Sequence, residues 1–165
     1  MAYSRNYLIH YYEINKKKKL TIPTLLHYFE DIAILNSEAN GFSLDYYDET
    51  NTGFMLIKWD ITVRSWPKFN ELITLNTQPT SFKRFLANRN YNIVAQDGEK
   101  IIEAKSVWLF ADIKTRRPVR VPNEILTGFN IAPEAEKLFE ILDDLQAVQS
   151  GAYTLKIKTQ TFDID

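Results

Sequence analysis

The 165-residue chain contains no cysteine, two histidines, five glycines and six prolines. The missing cysteine excludes disulfides, thiolate metal sites and a cysteine nucleophile. His10 and His27 alone leave little material for a metal centre, so neither metal nor cofactor is expected. The longest wholly apolar run covers about five residues (Val107 to Ala111), far below the ~20 needed to span a bilayer. No apolar signal-peptide core follows the N-terminus. A net charge of −1 gives no basis for nucleic-acid binding by bulk electrostatics. The expectation is a protein of a reducing aqueous compartment, the cytoplasm by default. Its length suits one domain that buries roughly two-thirds of the surface of its unfolded chain.

Charge is unevenly spread. Up to Val121 there are 17 basic and 13 acidic residues; from Pro122 onward there are 3 and 8. Basic residues gather at Lys16 to Lys19, at Lys83 and Arg84, and at Arg116, Arg117 and Arg120. Such clusters either steer an acidic partner or are simply solvated loop tips.

Residues 3–14 are rich in Tyr and Ile and predict a strand. Pro23 suits a first helical turn, where its missing N–H would be unpaired anyway. From there Leu25, Leu26, Phe29, Ile32, Ala33 and Ala39 recur at helical spacing until Gly41, which tolerates the left-handed stop. After this helix the chain reads as strands only. Met55, Ile57, Trp59, Ile61 and Val63 alternate with polar residues. Residues 71–78 alternate again, and 85–94 run to Asp97-Gly98, a strong hairpin signal before a long strand over 101–113. Pro122, Gly128 and Pro133 then punctuate a connector, and Glu134 to Leu145 predicts a short amphipathic helix. The pattern is α+β, a long central helix wrapped by an antiparallel sheet, the hotdog fold. The expected organisation is a hotdog over 1–121, a linker with a short helix over 122–151, and a strand over 152–165.

Tyr12-Glu13-Ile14-Asn15 recurs as Phe162-Asp163-Ile164-Asp165, each at the end of a β-rich stretch. The strand at 152–165 is therefore expected to be the first of a second, truncated hotdog. A single hotdog also leaves a sheet edge uncovered, so homo-oligomerisation is expected if the chain is this short.

Four segments carry a resemblance: LTIPTLLHYFEDIA (20–33), SEANGFSL (37–44), FLANRNYNI (85–93) and SVWLFADIKTRRPVRVP (106–122). In this order they resemble the first hotdog of the acyl-acyl-carrier-protein thioesterases of bacteria and plant plastids. The resemblance implies a hydrolase of fatty acid biosynthesis that cleaves the thioester between a fatty acyl chain and the phosphopantetheine arm of acyl carrier protein. It also implies a motif similar to Asp-x-Asn-x-His at the start of the second hotdog. Its Asp corresponds to Asp165, the incomplete catalytic motif, and the rest would lie beyond. The first-copy equivalents Asn15, Lys17 and Lys19 offer no neutral-pH base. The chain alone is therefore expected to hold the acyl-binding half and to be inactive; the alternative is a non-catalytic acyl- or carrier-protein-binding hotdog.

The resemblance further implies an acyl slot between helix and sheet. Leu25, Leu26, Phe29, Ile32, Met55, Ile57, Trp59, Ile61 and Trp108 are its candidate lining, with Trp59 and Trp108 limiting depth. Most of these would equally serve as ordinary core. Lys83, Arg84, Arg116, Arg117 and Arg120 are candidates for docking the acidic carrier protein. Arg89 shares strand parity with Phe85, Ala87, Tyr91 and Ile93, so it is expected to point toward a largely apolar face. A buried guanidinium must be paired, either by Glu30, Asp31 or Glu38 or by a substrate.

Overall fold

A computed structural model of the chain describes residues 2–131 and the backbone of residues 153–158. The central helix α1 spans Ile22–Ala39, with Thr21 as N-cap, Pro23 in its first turn and Gly41 at φ +88° just past its end. Its inner face is built from Leu25, Phe29, Ile32 and Asn36, at intervals of three and four residues.

The sheet is antiparallel in the order β1 (Tyr3–Leu8), β3 (Leu72–Lys83), β4 (Leu86–Val94), β5 (Lys100–Asp112), β2 (Thr52–Val63) and β7 (Tyr153–Lys158). A two-residue strand β6 (Arg117–Pro118) pairs with β5 beyond this path. Gly98 takes φ +89° in the β4–β5 turn, the left-handed conformation that the Asp-Gly pair anticipated. This is the expected hotdog: α1 lies against the concave sheet, and Phe29 packs on the rings of Trp59 and Tyr91. Trp59, Ile61, Ile73, Leu75, Ile93 and Ile102 complete a closed core around it.

Several expectations are corrected. The first strand ends at Leu8, because the Glu13 carboxylate accepts the His10 backbone N–H at 2.6 Å and Tyr11–Glu13 forms one 3₁₀ turn. The stretch after Gly41 is not strand alone. Ser43 accepts the Tyr46 N–H at 3.1 Å and starts a seven-residue helix α2 (Leu44–Thr50), too short for a periodic signature. A further short helix, α3 (Asn123–Gly128), follows the sheet. The amphipathic helix expected over 134–145 and the repeat at 162–165, including Asp165, lie outside the described residues. The strand at 153–158 does form, and its backbone extends the same sheet, Val63 opposite Tyr153 and Lys58 opposite Lys158.

Even alternation along β2 also fails. Leu56 faces Trp108 of β5, but Lys58 faces Val107, so Ile57 is an extra residue. This bulge reverses which face each residue meets. Beyond it Trp59, Ile61 and Val63 are buried as expected, whereas Met55 and Ile57 are 38% and 37% exposed. Phe54 and Leu56 take the inward places instead. A second bulge between Pro79 and Ser81 of β3 likewise brings Phe82 inward, opposite Ala87.

Candidate functional site

Both bulges lie at one end of the sheet, and there the apolar layer does not close. A cavity of about 470 Å³ opens between the C-terminal half of α1, α2, α3 and the bulged strands. Its lining includes Ala33, Ile34 and Ser37 from α1, Tyr47 from α2, Phe54 and Leu56 from β2, Phe82 from β3, Trp108 from β5, and Phe129. The surrounding cluster is aromatic: Phe54 lies 4.8 Å from Phe110, and Phe42 stacks on Phe129 at 5.7 Å between ring centroids. The volume falls within the range typical of small-molecule pockets, roughly 300–1,000 Å³.

Of the nine candidate lining residues, Trp108 borders this cavity. Leu25, Phe29, Ile32, Trp59 and Ile61 are fully buried in the closed core, and Leu26 packs against that core. Met55 and Ile57 are turned out by the bulge. Trp59 reaches the cavity only through the edge of Trp108, 6.2 Å away between centroids. Trp108 thus lines the cavity, whereas Trp59 lies behind it in the closed core.

Arg89 is the basic side chain among the cavity's lining residues, only 8% exposed. Its Nη1 donates to Asn36 Oδ1 at 2.9 Å and to Thr77 Oγ1 at 3.2 Å. The Phe129 ring lies 5.7 Å from the guanidinium carbon. Among the described residues no carboxylate pairs with it, so the expected partners Glu30, Asp31 and Glu38 are replaced by a neutral amide and a hydroxyl. Burial pulls the guanidinium pKa down, yet an arginine stays protonated under any folding condition. Nearby, Tyr47 shares a 3.2 Å hydrogen bond with Ser37; burial raises its pKa, while Ser37 and Arg89 oppose the rise. Burial also pushes Tyr91 up to about 12.

Sequence reasoning missed Asn36 as the partner, although a signal was present. Asn36 interrupts the apolar stripe of α1 four residues after Ile32, and Arg89 interrupts the apolar face of β4. Two polar interruptions on facing elements can satisfy each other. Neither histidine takes part. His10 is exposed, with Nδ1 3.3 Å from Glu13, and His27 is exposed on α1.

The basic candidates share one end of the sheet. Arg84, at φ +54°, occupies the β3–β4 turn beside Lys83, and its carbonyl accepts the Val121 N–H at 2.8 Å, next to Arg120. Arg116 ends the β5–β6 turn and Arg117 opens β6, and all five are exposed.

Fold and cavity together define a hotdog domain with an apolar pocket at the helix–sheet junction. The chain belongs to the acyl-ACP thioesterase family: the model described as "Acyl-ACP thioesterase N-terminal domain" matches residues 1–129. A palmitoyl-acyl carrier protein thioesterase of Cuphea hookeriana chloroplasts is 24% identical over 132 residues, covering 76% of this chain and 32% of that protein. The solved acyl-ACP thioesterase of Bacteroides thetaiotaomicron aligns with a TM-score of 0.68 at 22% identity, over 73% of this chain and 49% of that one. The 12:0-ACP thioesterase of Umbellularia californica aligns with a TM-score of 0.69 at 14% identity, over 88% and 60%. The chain thus spans about a third of the length of the first curated relative. Among the described residues no helix is long and apolar enough to cross a membrane.

Proposed function

We propose that this chain is the acyl-binding half of an enzyme that hydrolyses the fatty acyl thioester of acyl carrier protein to free fatty acid. The observation that carries the reading is the aromatic cavity inside a domain of this family. In it the acyl tail lies along Phe54, Leu56, Phe82 and Trp108, while the basic end of the sheet meets the acidic carrier protein. Long-range attraction between these charges speeds encounter and weakens with salt. The cytoplasmic setting and self-association expected from the sequence belong to the same proposal.

One observation favours a second reading, a non-catalytic acyl- or carrier-binding module. The titratable side chains lining the cavity are Glu30, Tyr47 and Arg89, and neither histidine is among them. Incubating the full chain with acyl carrier protein loaded with a fatty acyl group tests both readings. Binding without release is expected of an acyl-binding half and of a module alike, fatty acid release rejects the module, and absence of both rejects each. Arg116→Glu combined with Arg117→Glu is expected to weaken carrier association about tenfold and to flatten its salt dependence. Unchanged affinity at low salt would remove these residues from the docking surface.

A further inference from the structure

Arg89 places a permanent positive charge in an aromatic cavity without giving it a counterion. Asn36 and Thr77 occupy Nη1, and the remaining donors, on Nε and Nη2, have no acceptor among the described residues. That edge of a guanidinium carries two parallel N–H groups and takes a carboxylate bidentately. The two bonds to Nη1 hold the fork in place, so little rotamer freedom remains to be lost on binding.

The cavity has a direction. Ile34 and Leu44 at its border are 45% and 57% exposed, whereas Phe82 and Phe129 are buried beside Arg89. Glu30 also borders the cavity but forms no ion pair with Arg89. An amphiphile that enters carboxylate-first supplies the missing anion and leaves its chain against the aromatic wall.

We propose that the cavity binds a free medium-chain fatty carboxylate, head inward, with the carboxylate on the Nε/Nη2 edge of Arg89. At roughly 30 Å³ per water-sized unit, a cavity of about 470 Å³ has room for about sixteen non-hydrogen atoms, more than the twelve of a ten-carbon acid. This goes beyond the hydrolytic reading, in which the same space holds the tail of a thioester. A free acid bound in this way excludes an acyl tail and so restrains the domain when fatty acid accumulates.

Calorimetric titration of the full chain with decanoate and with decanol, below their aggregation concentrations, tests the proposal. Decanoate is expected to bind at least about tenfold more tightly, as charge-assisted bidentate bonds require. Equal affinities would overturn the carboxylate site. Arg89→Met is expected to abolish the preference while retaining decanol binding, and a preference that survives in the folded variant would overturn the role of Arg89. The comparison of two ligands on the unaltered chain decides the matter even if that variant does not fold. Loss of the decanoate preference would leave the thioester reading standing, and failure to bind acyl carrier protein would leave the carboxylate site standing.

Discussion

Around Trp59 the apolar side chains close on one another; around Phe82, on the same sheet, they stop short and leave a cavity. The closed core is largely aliphatic and draws on α1 at three- and four-residue steps and on stretches of β2, β3 and β4 that alternate at two, Trp59 to Val63, Ile73 to Leu75 and Tyr91 to Ile93. The open region is aromatic and depends on irregularities. One extra residue in β2, another in β3, and two short helices bring Phe54, Phe82, Phe42 and Phe129 together. A bulge thus does more than relieve register. It lets one sheet present two differently packed surfaces to the same helix.

The largest expected effect comes from breaking the closed side. Trp59 is fully buried and touches the rings of Phe29, Tyr91 and Trp108. Trp59→Ala is expected to destabilise the fold by about 3–5 kcal/mol, seen as a lowered denaturant midpoint. Phe54→Ala, at the edge of an existing cavity, should cost less and enlarge the space for ligand. If Trp59→Ala instead lengthened the preferred acyl chain at unchanged stability, the two regions would be a single pocket.

A smaller effect is expected from Gly128→Ala in α3. A Cβ there would stand 2.5 Å from the Phe42 ring, which lines the cavity. The ring must shift or α3 must lift away, at a cost of about 1–3 kcal/mol, the usual range for overpacking. Because the displaced ring borders the cavity, affinity for an apolar ligand should change along with stability. Stability loss with unaltered binding would show that α3 merely covers the cavity from outside.

The regular half of the molecule was legible because its signals are local. Thr21, Pro23 and Gly41 mark the limits of α1, and Asp97-Gly98 marks a hairpin, each through the chemistry of a few adjacent residues. The cavity was not legible for the same reason. Strict alternation assigns Met55 and Ile57 to the inside, and no composition around Ile57 announces the extra residue that turns them out. Seven residues of α2 span about two turns, too few to establish a period. Arg89 is recognisable as anomalous from the sequence, but charge pairing points to Glu30, Asp31, Glu38 or a substrate as its partner. The neutral Asn36 satisfies part of the guanidinium and leaves its charge unmatched, an outcome that one-dimensional charge pairing does not anticipate.

The smallest expected effect serves as the control on the comparison, at the closed end of β5. Glu103 bonds Lys100 Nζ at 2.9 Å and Arg64 Nη2 at 2.6 Å on the sheet surface. These two bonds, Lys100 first, hold its carboxyl below the usual carboxylate range, against a modest opposing effect of burial. A lowered native pKa means that the contribution is complete above the ordinary glutamate value, near 4.3. It then fades as pH falls from there through the lower native value, where protonation removes the charge in folded and unfolded chains alike. Both partners and the carboxylate are substantially exposed, so solvent screening keeps the contribution to about 0.5 kcal/mol. Glu103→Gln should therefore lower stability slightly at neutral pH, less so at high salt, and not at all in strong acid. Decanoate affinity should stay constant throughout, because nothing in this surface network reaches the bulged half. A parallel change in binding would mean that the sheet transmits strain between its two ends and that the two regions are energetically coupled.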